Sequence, residues 1–290
     1  AARTSALDLQ SETVMQSFAR ACDTFQQEHG FYPGIIPEKA LEGDTRFTAT
    51  ESALLHLMGG AVRQSENPTL YADLQGTGNW ESVTVNSGGS PEVNLLINFD
   101  KIGEGPVING KSYPPYFAPD GDELRVAAGE QVDEWVGMNG KLPDLVDAWG
   151  QPIIYMRRVR DVGPLVGTSA DRPQYIWTGH QGYTESTSLG DLGKDQLTQS
   201  LFNEASDTFA TVAQLVRHPG IGEYGSVSNS LNAQAKGAYT LFSAGPDGIF
   251  YSITDGPGTA SSPVTDIVTD PDYANPQVLN EYDDIRVYGG

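Results

Sequence analysis

The chain has 290 residues, enough to bury a substantial core as one large domain or as two smaller ones. Its 38 acidic side chains against 17 basic ones give a formal net charge of −21, which argues against nucleic acid and anionic membrane surfaces as partners because the phosphate groups would be repelled. The 33 glycines, 18 prolines and 19% charged residues are typical of a loop-rich globular protein rather than a disordered one.

The first predicted element is an amphipathic helix from Ser5 to His29, ended by Gly30 and by Pro33, which cannot continue it. Its apolar residues recur at helical spacing: Leu7, Val14, Met15, Phe18, Cys22 and Phe25. The single cysteine lies on this face, so we expect a buried thiol, and it excludes both an intramolecular disulfide and a cysteine-based zinc site.

The chain contains no run of 18 or more apolar residues and no signal peptide, so as given it is expected to be soluble. It begins inside the predicted helix. We therefore expect a further segment upstream of Ala1.

A capping box, Thr48-Ala-Thr-Glu51, predicts a second helix that runs through Val62, with Gly59 and Gly60 able to end or kink it. His56 lies in this apolar run and has Gly60 at the position of a second metal ligand, so a structural role is expected. Residues 67–133 read as short strands divided by turns, including 83–85, 93–99 and 124–127.

A turn motif precedes the next predicted strand, residues 153–157. Asp147 is placed to cap this turn, Trp149 to fill a gap between helix and sheet, and Gly150 to adopt a conformation closed to other residues. Farther on, residues 175–177 read as a short strand and residues 196–217 as a third helix.

Residues 238–252 predict a strand, a tight turn at Gly245-Pro-Asp-Gly248 and a second strand from Ile249. Asp247 then lies on a loop, and the acidic segment that contains Glu281, Asp283 and Asp284 could fold back on it. Carboxylate and carbonyl oxygens are the ligands that Ca²⁺ prefers. The alternative is an ordinary Asp-Gly turn and a solvated acidic tail.

Three stretches, in order, carry a family resemblance. Leu241-Phe-Ser-Ala-Gly-Pro-Asp-Gly248, followed later by Asp283-Asp-Ile285, resembles the C-terminal calcium loop of the major pseudopilin of type II secretion systems. Gln26-Gln-Glu-His-Gly-Phe-Tyr-Pro33 is similar to the exit of the long pilin helix. Gly140-Lys-Leu-Pro-Asp-Leu-Val-Asp-Ala-Trp-Gly-Gln-Pro-Ile-Ile-Tyr155 is similar to a pseudopilin turn motif.

The resemblance has three departures. Ala148 replaces the usual proline of the turn motif. Residues 158–237 intervene before the calcium-loop strand, and the excursion at residues 255–280 is longer than in the family.

The resemblance implies an α+β, pilin-like fold, in which a long N-terminal α-helix packs on a small antiparallel β-sheet, with large loop and helical insertions. Residues 1–33 would be the soluble half of the pilin helix and 34–139 a variable insertion. Residues 140–290 would form the C-terminal sheet region, with an inserted helix at 196–217 and a calcium-type loop.

The resemblance also implies a function. The chain would be a non-enzymatic structural subunit of a type II secretion-like pseudopilus or a type IV pilus-like filament, taking part in protein transport. Its head would be periplasmic, anchored in the inner membrane by a methylated upstream segment, or it would be part of an extracellular filament. Its partners would be other copies, joined through the N-terminal helix, other pseudopilins and the inner-membrane assembly platform.

Calcium is the implied cofactor. The implied ligands are the side chains of Asp247, Asp283 and Asp284 and the backbone oxygens of Leu241 and Ser243.

The two other classes of function are an enzyme and a binding module. An enzyme is disfavoured because the chain lacks Gly-x-Ser-x-Gly, His-Glu-x-x-His and a phosphate-binding glycine-rich loop, and its four histidines are scattered. The alternative is an extracellular calcium-dependent adhesin or glycan-binding module that would use exposed Trp80, Trp135 or Trp177.

Overall fold

The computed structural model is α+β, with an N-terminal helix and several small antiparallel sheets. It describes residues 2–42, 47–85, 92–126, 142–177, 200–203, 208–218, 234–259, 261–264, 267 and 276–290. The chain divides into two compact units. The N-terminal unit is Val14–Leu145, and the C-terminal unit combines Ala1–Thr13 with Val146–Gly290.

Helix α1 (Ala2–His29) contributes its first residues to the C-terminal unit and the rest to the N-terminal unit. It ends where the sequence predicts: Gly30 has φ +81°, and its N–H donates to the carbonyl of Gln26. The expected apolar face is buried from Val14 to Phe25, and Cys22 is fully buried. Among the described residues, no helix combines the length and the apolar character needed to cross a membrane.

The N-terminal unit contains α2 (Glu38–Leu41), α3 (Ala49–Met58) and α4 (Pro68–Leu74). Helix α3 opens on the predicted capping box: the Glu51 N–H donates to Thr48 Oγ1 (3.1 Å) and the Thr48 N–H donates to Glu51 Oε2 (2.7 Å). Every residue of α3 is buried. His56 accepts a hydrogen bond from the Gly34 N–H at Nδ1 (3.1 Å), a structural role as predicted.

Of the outcomes expected for this helix, an end at Gly59 and Gly60 is confirmed and an extension to Val62 is wrong. The helix ends at Gly59, which has φ +86° and whose missing side chain leaves room for the backbone carbonyl of Gly105. Residues Ala61–Arg63 form β1 instead, and β1 pairs with β3 (Val93–Ile97), which also pairs with β2 (Glu81–Val85). The predicted strand at 83–85 is confirmed, the one at 93–99 is confirmed as far as Ile97, with a 3₁₀ turn from Phe99 to Lys101, and the one at 124–127 is confirmed over Leu124–Val126.

Two further antiparallel pairs complete the described strands of the N-terminal unit. They are β4 (Val107–Ile108) with β5 (Lys111–Ser112), and β6 (Leu124–Val126) with β7 (Pro143–Leu145). The second pair aligns Arg125 with Asp144, and β7 contacts α3. An acidic side chain of the strand is thereby brought towards the buried helix.

The C-terminal unit contains β8 (Ile154–Arg157), a parallel pair β9 (Val166–Gly167) and β10 (Tyr175–Ile176), and α5 (Thr208–Val216). Next come β11 (Tyr239–Ser243), the pair β12 (Gly258–Thr259) and β13 (Ser262–Pro263), and β14 (Ile285–Gly289). Strand β11 is the centre of an antiparallel sheet ordered β14-β11-β8. The predicted strand at 153–157 is confirmed over Ile154–Arg157, and the first strand predicted within 238–252 is confirmed as β11.

Two predictions for the C-terminal unit are wrong. Residues 249–253 form turns rather than a second strand, because Tyr251 has φ +49° and its N–H donates to the Asp284 carboxylate instead of a ladder partner. The predicted helix at 196–217 is shorter, since α5 covers Thr208–Val216 and Leu201–Asn203 is a separate 3₁₀ turn. Just before that turn, Ser200 Oγ donates to the Phe250 carbonyl and accepts from the Phe202 N–H. Residues 196–199 and 204–207 lie outside the described residues.

Candidate metal centre

The loop after β11 is shaped by two glycines in left-handed conformations, Gly245 (φ +67°) and Gly248 (φ +75°). A side chain at Gly245 would stand 2.7 Å from the backbone carbonyl oxygen of Asp283, so glycine is what lets the two segments approach. Asp247 lies between them, and its Oδ1 accepts a hydrogen bond from the Ile249 N–H (2.8 Å). The loop therefore presents Asp247 to the segment before β14.

Three aspartates meet at this point. One carboxylate oxygen each from Asp247, Asp255 and Asp283 lies within 4.8 Å of the other two. Within the part of the chain that the structure describes, Asp255 Oδ2 and Asp283 Oδ1 are buried and have no hydrogen-bond partner. Acceptor oxygens that face one another without a donor are the arrangement that a cation, or a shared proton, would satisfy.

The electrostatics of this three-aspartate cluster follow from burial and like charge. Burial raises the pKa of Asp283 to about 7, and the neighbouring charges of Asp247 and Asp255 add to the rise. Burial also raises the pKa of Asp247 to about 6, against the hydrogen bond from Ile249 that lowers it. A bound divalent cation would lower the pKa of these aspartates, because it favours the charged form of each carboxylate.

The donor set fits a hard cation. Three carboxylates on loops that remain partly open to solvent can supply part of the six to eight oxygens that Ca²⁺ takes, with backbone carbonyls and water as the usual remainder. Asp255 is the residue that sequence reasoning missed. It lies in the long excursion at residues 255–280, where no spacing or motif marks it.

The other residues implied by the family resemblance make contacts of their own. The Asp284 carboxylate is buried and accepts the Tyr251 N–H at both oxygens (3.0 Å each). Leu241 and Ser243 lie in the central strand β11, and Ser243 Oγ donates to Asp147 Oδ2 (2.6 Å). The structure thus brings Asp247 and Asp283 together with Asp255, whereas the Asp284 side chain holds the backbone of the loop.

Asp147 supports the same loop from the predicted turn motif. Its Oδ1 accepts from the N–H groups of Trp149 and Gln151 (2.9 Å each), and Gly150 has φ +80°, which confirms the predicted cap and glycine. Burial raises the pKa of Asp147 to about 6, and the hydrogen bond from Ser243 is the largest opposing cause. The turn is therefore joined directly to the end of β11.

The tryptophans proposed for glycan binding differ in position. Trp177 is buried, with its ring 5.4 Å from that of Phe202. Trp80 packs against the apolar cluster of Val62, Tyr71 and Leu96. Trp135 lies outside the described residues. Of the two described candidates, Trp177 is buried and Trp80 is partly buried.

Comparison of the chain with protein-family models, with curated proteins and with solved structures gave no match.

Proposed function

We propose that the chain is the head of a non-enzymatic structural subunit of a type II secretion-like pseudopilus or type IV pilus-like filament, stabilised by Ca²⁺. The observation that carries this proposal is the meeting of the Asp247 loop with Asp283. These are the two segments that the family resemblance pairs. They lie 36 residues apart in the chain, yet their carboxylates share one small space with Asp255.

The N-terminal helix supports the filament part of the proposal. Helix α1 has 28 residues, about 42 Å at 1.5 Å per residue, and leads the chain as the pilin helix does. Along its first turns the side chains are largely exposed, and Leu9 has 65% of its surface in contact with solvent. An exposed apolar residue on a leading helix is available for packing against another copy.

Calcium would act by joining two segments that otherwise repel each other. Three carboxylates held together without a counterion oppose folding, and a bound cation turns that repulsion into attraction. A ligand that binds only the folded form adds about 2.7 kcal/mol of stability at a hundredfold excess over its dissociation constant. The head would then be most stable in calcium-rich surroundings outside the cytoplasm.

Thermal unfolding with and without calcium tests the metal centre. We expect saturating Ca²⁺ to raise the midpoint by about 5 °C over the value in chelator. Asp247→Asn and Asp255→Asn should abolish the rise, and the control Asp122→Asn, at an exposed position of the N-terminal unit, should keep it. A wild-type midpoint that ignores calcium would show that the cluster is not a calcium site.

Filament assembly is tested with the full-length gene product in cells that assemble such filaments. We expect Leu9→Glu to abolish the filaments seen by electron microscopy, while the purified head keeps its unfolding midpoint. The matched control is Val162→Glu, since Val162 is 76% exposed and lies outside α1. Filaments that form equally well in both variants would contradict packing through α1.

A further inference from the structure

A cavity of about 550 Å³ lies within the C-terminal unit, beside α5, β14 and the 3₁₀ turn at Pro276–Glu281. Three cationic side chains line it: Arg217, Lys236 and Arg286. Two carboxyl groups, Glu12 and Asp284, are its acidic lining residues among those described. The described lining therefore carries a formal excess of one positive charge, in a chain whose net charge is −21.

Two of the cations are held in place by the surrounding structure. Lys236 Nζ lies 3.7 Å from the centre of the Tyr288 ring, and the Tyr288 hydroxyl donates to the Leu215 carbonyl (2.8 Å). Arg286 donates from its guanidinium to Asn280 Oδ1 (2.7 Å). Burial lowers the pKa of Lys236, and the nearby charge of Arg286 lowers it further. A bound anion would relieve this repulsion between the two cations.

The cavity is also lined by a glutamine whose side-chain amide makes no hydrogen bond to the described residues. Gln214 is only 2% exposed, and neither its Nε2 nor its Oε1 has a hydrogen-bond partner among the described residues. A buried amide without partners is unfavourable, because both of its polar groups lose their hydrogen bonds to water on folding. The side chain offers one donor side and one acceptor side, and a peptide group complements both at once.

We propose that this cavity binds a carboxylate of an acidic peptide segment, with the carboxylate at Lys236 and Arg286 and an adjoining peptide group on the Gln214 amide. The volume lies within the range of small-ligand sites. A phosphate ion would satisfy the cations and leave the amide unpaired. The inference uses neither the calcium cluster nor the filament, so it stands or falls separately from the proposed function.

The direct test is calorimetric titration of the protein, kept in chelator, with acetyl-Ala-Glu-Ala-amide. The comparison ligands are acetyl-Ala-Gln-Ala-amide, which lacks the carboxylate, and inorganic phosphate, which lacks the peptide group. We expect the glutamyl peptide to bind at least about tenfold more tightly than either. Equal affinity for the glutaminyl peptide, equal affinity for phosphate, or no binding of the glutamyl peptide would overturn the proposal.

Variants locate the binding in this cavity. Lys236→Gln and Gln214→Leu should each weaken binding of the glutamyl peptide by about tenfold. The matched control is Lys111→Gln, because Lys111 also lies over a tyrosine ring, 4.4 Å from the centre of Tyr113, but in the N-terminal unit. Unchanged binding in both cavity variants would overturn the assignment. Gln214→Leu replaces an unpaired buried amide with an apolar side chain, so its folding, checked by circular dichroism, should be preserved.

Sedimentation velocity then distinguishes the source of the peptide. Self-association of the wild type that Lys236→Gln removes would identify an acidic segment of a second copy. A wild type that stays monomeric while it binds the glutamyl peptide would identify a different protein. Both results support a carboxylate-binding cavity, and they separate its two sources.

Discussion

The N-terminal unit and the C-terminal unit each bring carboxyl groups together, but in different surroundings. In the N-terminal unit, Glu51 and Asp144 are both more than nine-tenths buried, and burial raises the pKa of Glu51, with the charge of Asp144 adding to the rise. Each has a partner nearby: the Thr48 N–H donates to Glu51, and Arg125 faces Asp144 across the β6–β7 pair. The three-aspartate cluster lies on loops, and two of its carboxylate oxygens have no hydrogen-bond partner among the described residues.

The surroundings of an acidic cluster decide whether it holds a proton or takes up a cation. A buried pair on a helix and a strand has no route for a cation's water shell, so it lowers its charge by holding a proton. Burial raises the pKa of Asp144 to about 7, which fits this behaviour. An open cluster with unpartnered oxygens can take a cation instead. Three substitutions and one change of pH test this distinction.

The largest effect is expected in the buried pair. Glu51→Ala removes the capping box of a wholly buried helix and leaves the Thr48 N–H without its acceptor, so we expect a loss of about 3 kcal/mol in the free energy of unfolding. Urea unfolding measures it. Glu92→Ala, at an exposed position, serves as the control and should change little. A loss below about 1 kcal/mol would mean that the pair is not the structural element described.

The next effect is expected at the close approach in the C-terminal unit. Gly245→Ala forces a side chain into a left-handed position and against the Asp283 carbonyl, so we expect a loss of about 2 kcal/mol. Gly121→Ala is the control, since nothing lies within 4 Å of a side chain built there. Differential scanning calorimetry of both variants measures the difference. Equal stability would show that the two segments do not meet as described.

Asp283→Asn should have a smaller effect on the free energy of unfolding, and the sign of that effect should depend on calcium. In chelator, Asp283→Asn removes like-charge repulsion and should stabilise the protein by up to about 1 kcal/mol, since solvent screens part of the repulsion. In calcium the same substitution removes a ligand and should destabilise it. Asp144→Asn should have the same effect in both buffers. A calcium-independent effect of Asp283→Asn would remove the distinction between the two clusters.

The remaining effect is a slope of stability with pH rather than a single difference. In the folded state the pKa of Asp144 is about 7, above its ordinary value of 3.8, so this group binds a proton that the unfolded chain releases at lower pH. Its contribution to stability is fully present below about pH 4 and is lost as the pH rises through about 7. The free energy of unfolding should therefore fall by up to about 1 kcal/mol per pH unit between pH 5 and 7.

Urea titrations in that pH range, with calcium present, measure this slope. The slope should be shallower in Asp144→Asn than in the wild type. Asp147, with a pKa raised to about 6, contributes in the same direction and remains in the variant. An identical slope in both proteins would show that Asp144 does not hold a proton in the folded state.

Local signals in the sequence predicted much of the fold. The stop at Gly30, the capping box of Thr48 and Glu51, and the turn at Asp147 each depend on residues a few positions apart, and each is confirmed. The predicted strand at 249–253 failed because its β-branched and aromatic residues are buried in turns. There, Phe250 and Tyr251 pack around Phe202.

The candidate site was predictable in part. An Asp-Gly turn and an acidic segment indicate two of the three aspartates, Asp247 and Asp283. In an extended segment neighbouring side chains point in opposite directions, so only one of Asp283 and Asp284 can join the Asp247 carboxylate, and the sequence does not say which. Asp255 joins the cluster because of how the chain folds after β11, and that folding depends on contacts between residues distant in sequence.

Strand β11 pairs with β8, which precedes it in the chain, and with β14, which follows it. During synthesis on the ribosome, β8 and β11 are made first, and β11 keeps one open edge until residues 285–289 have emerged. An open edge of a hydrophobic strand is a template for pairing with other chains. The nascent chain is therefore most exposed to misassembly in the interval between the synthesis of Ser243 and that of Ile285, and a chaperone that shields strand edges would help its folding most in that interval.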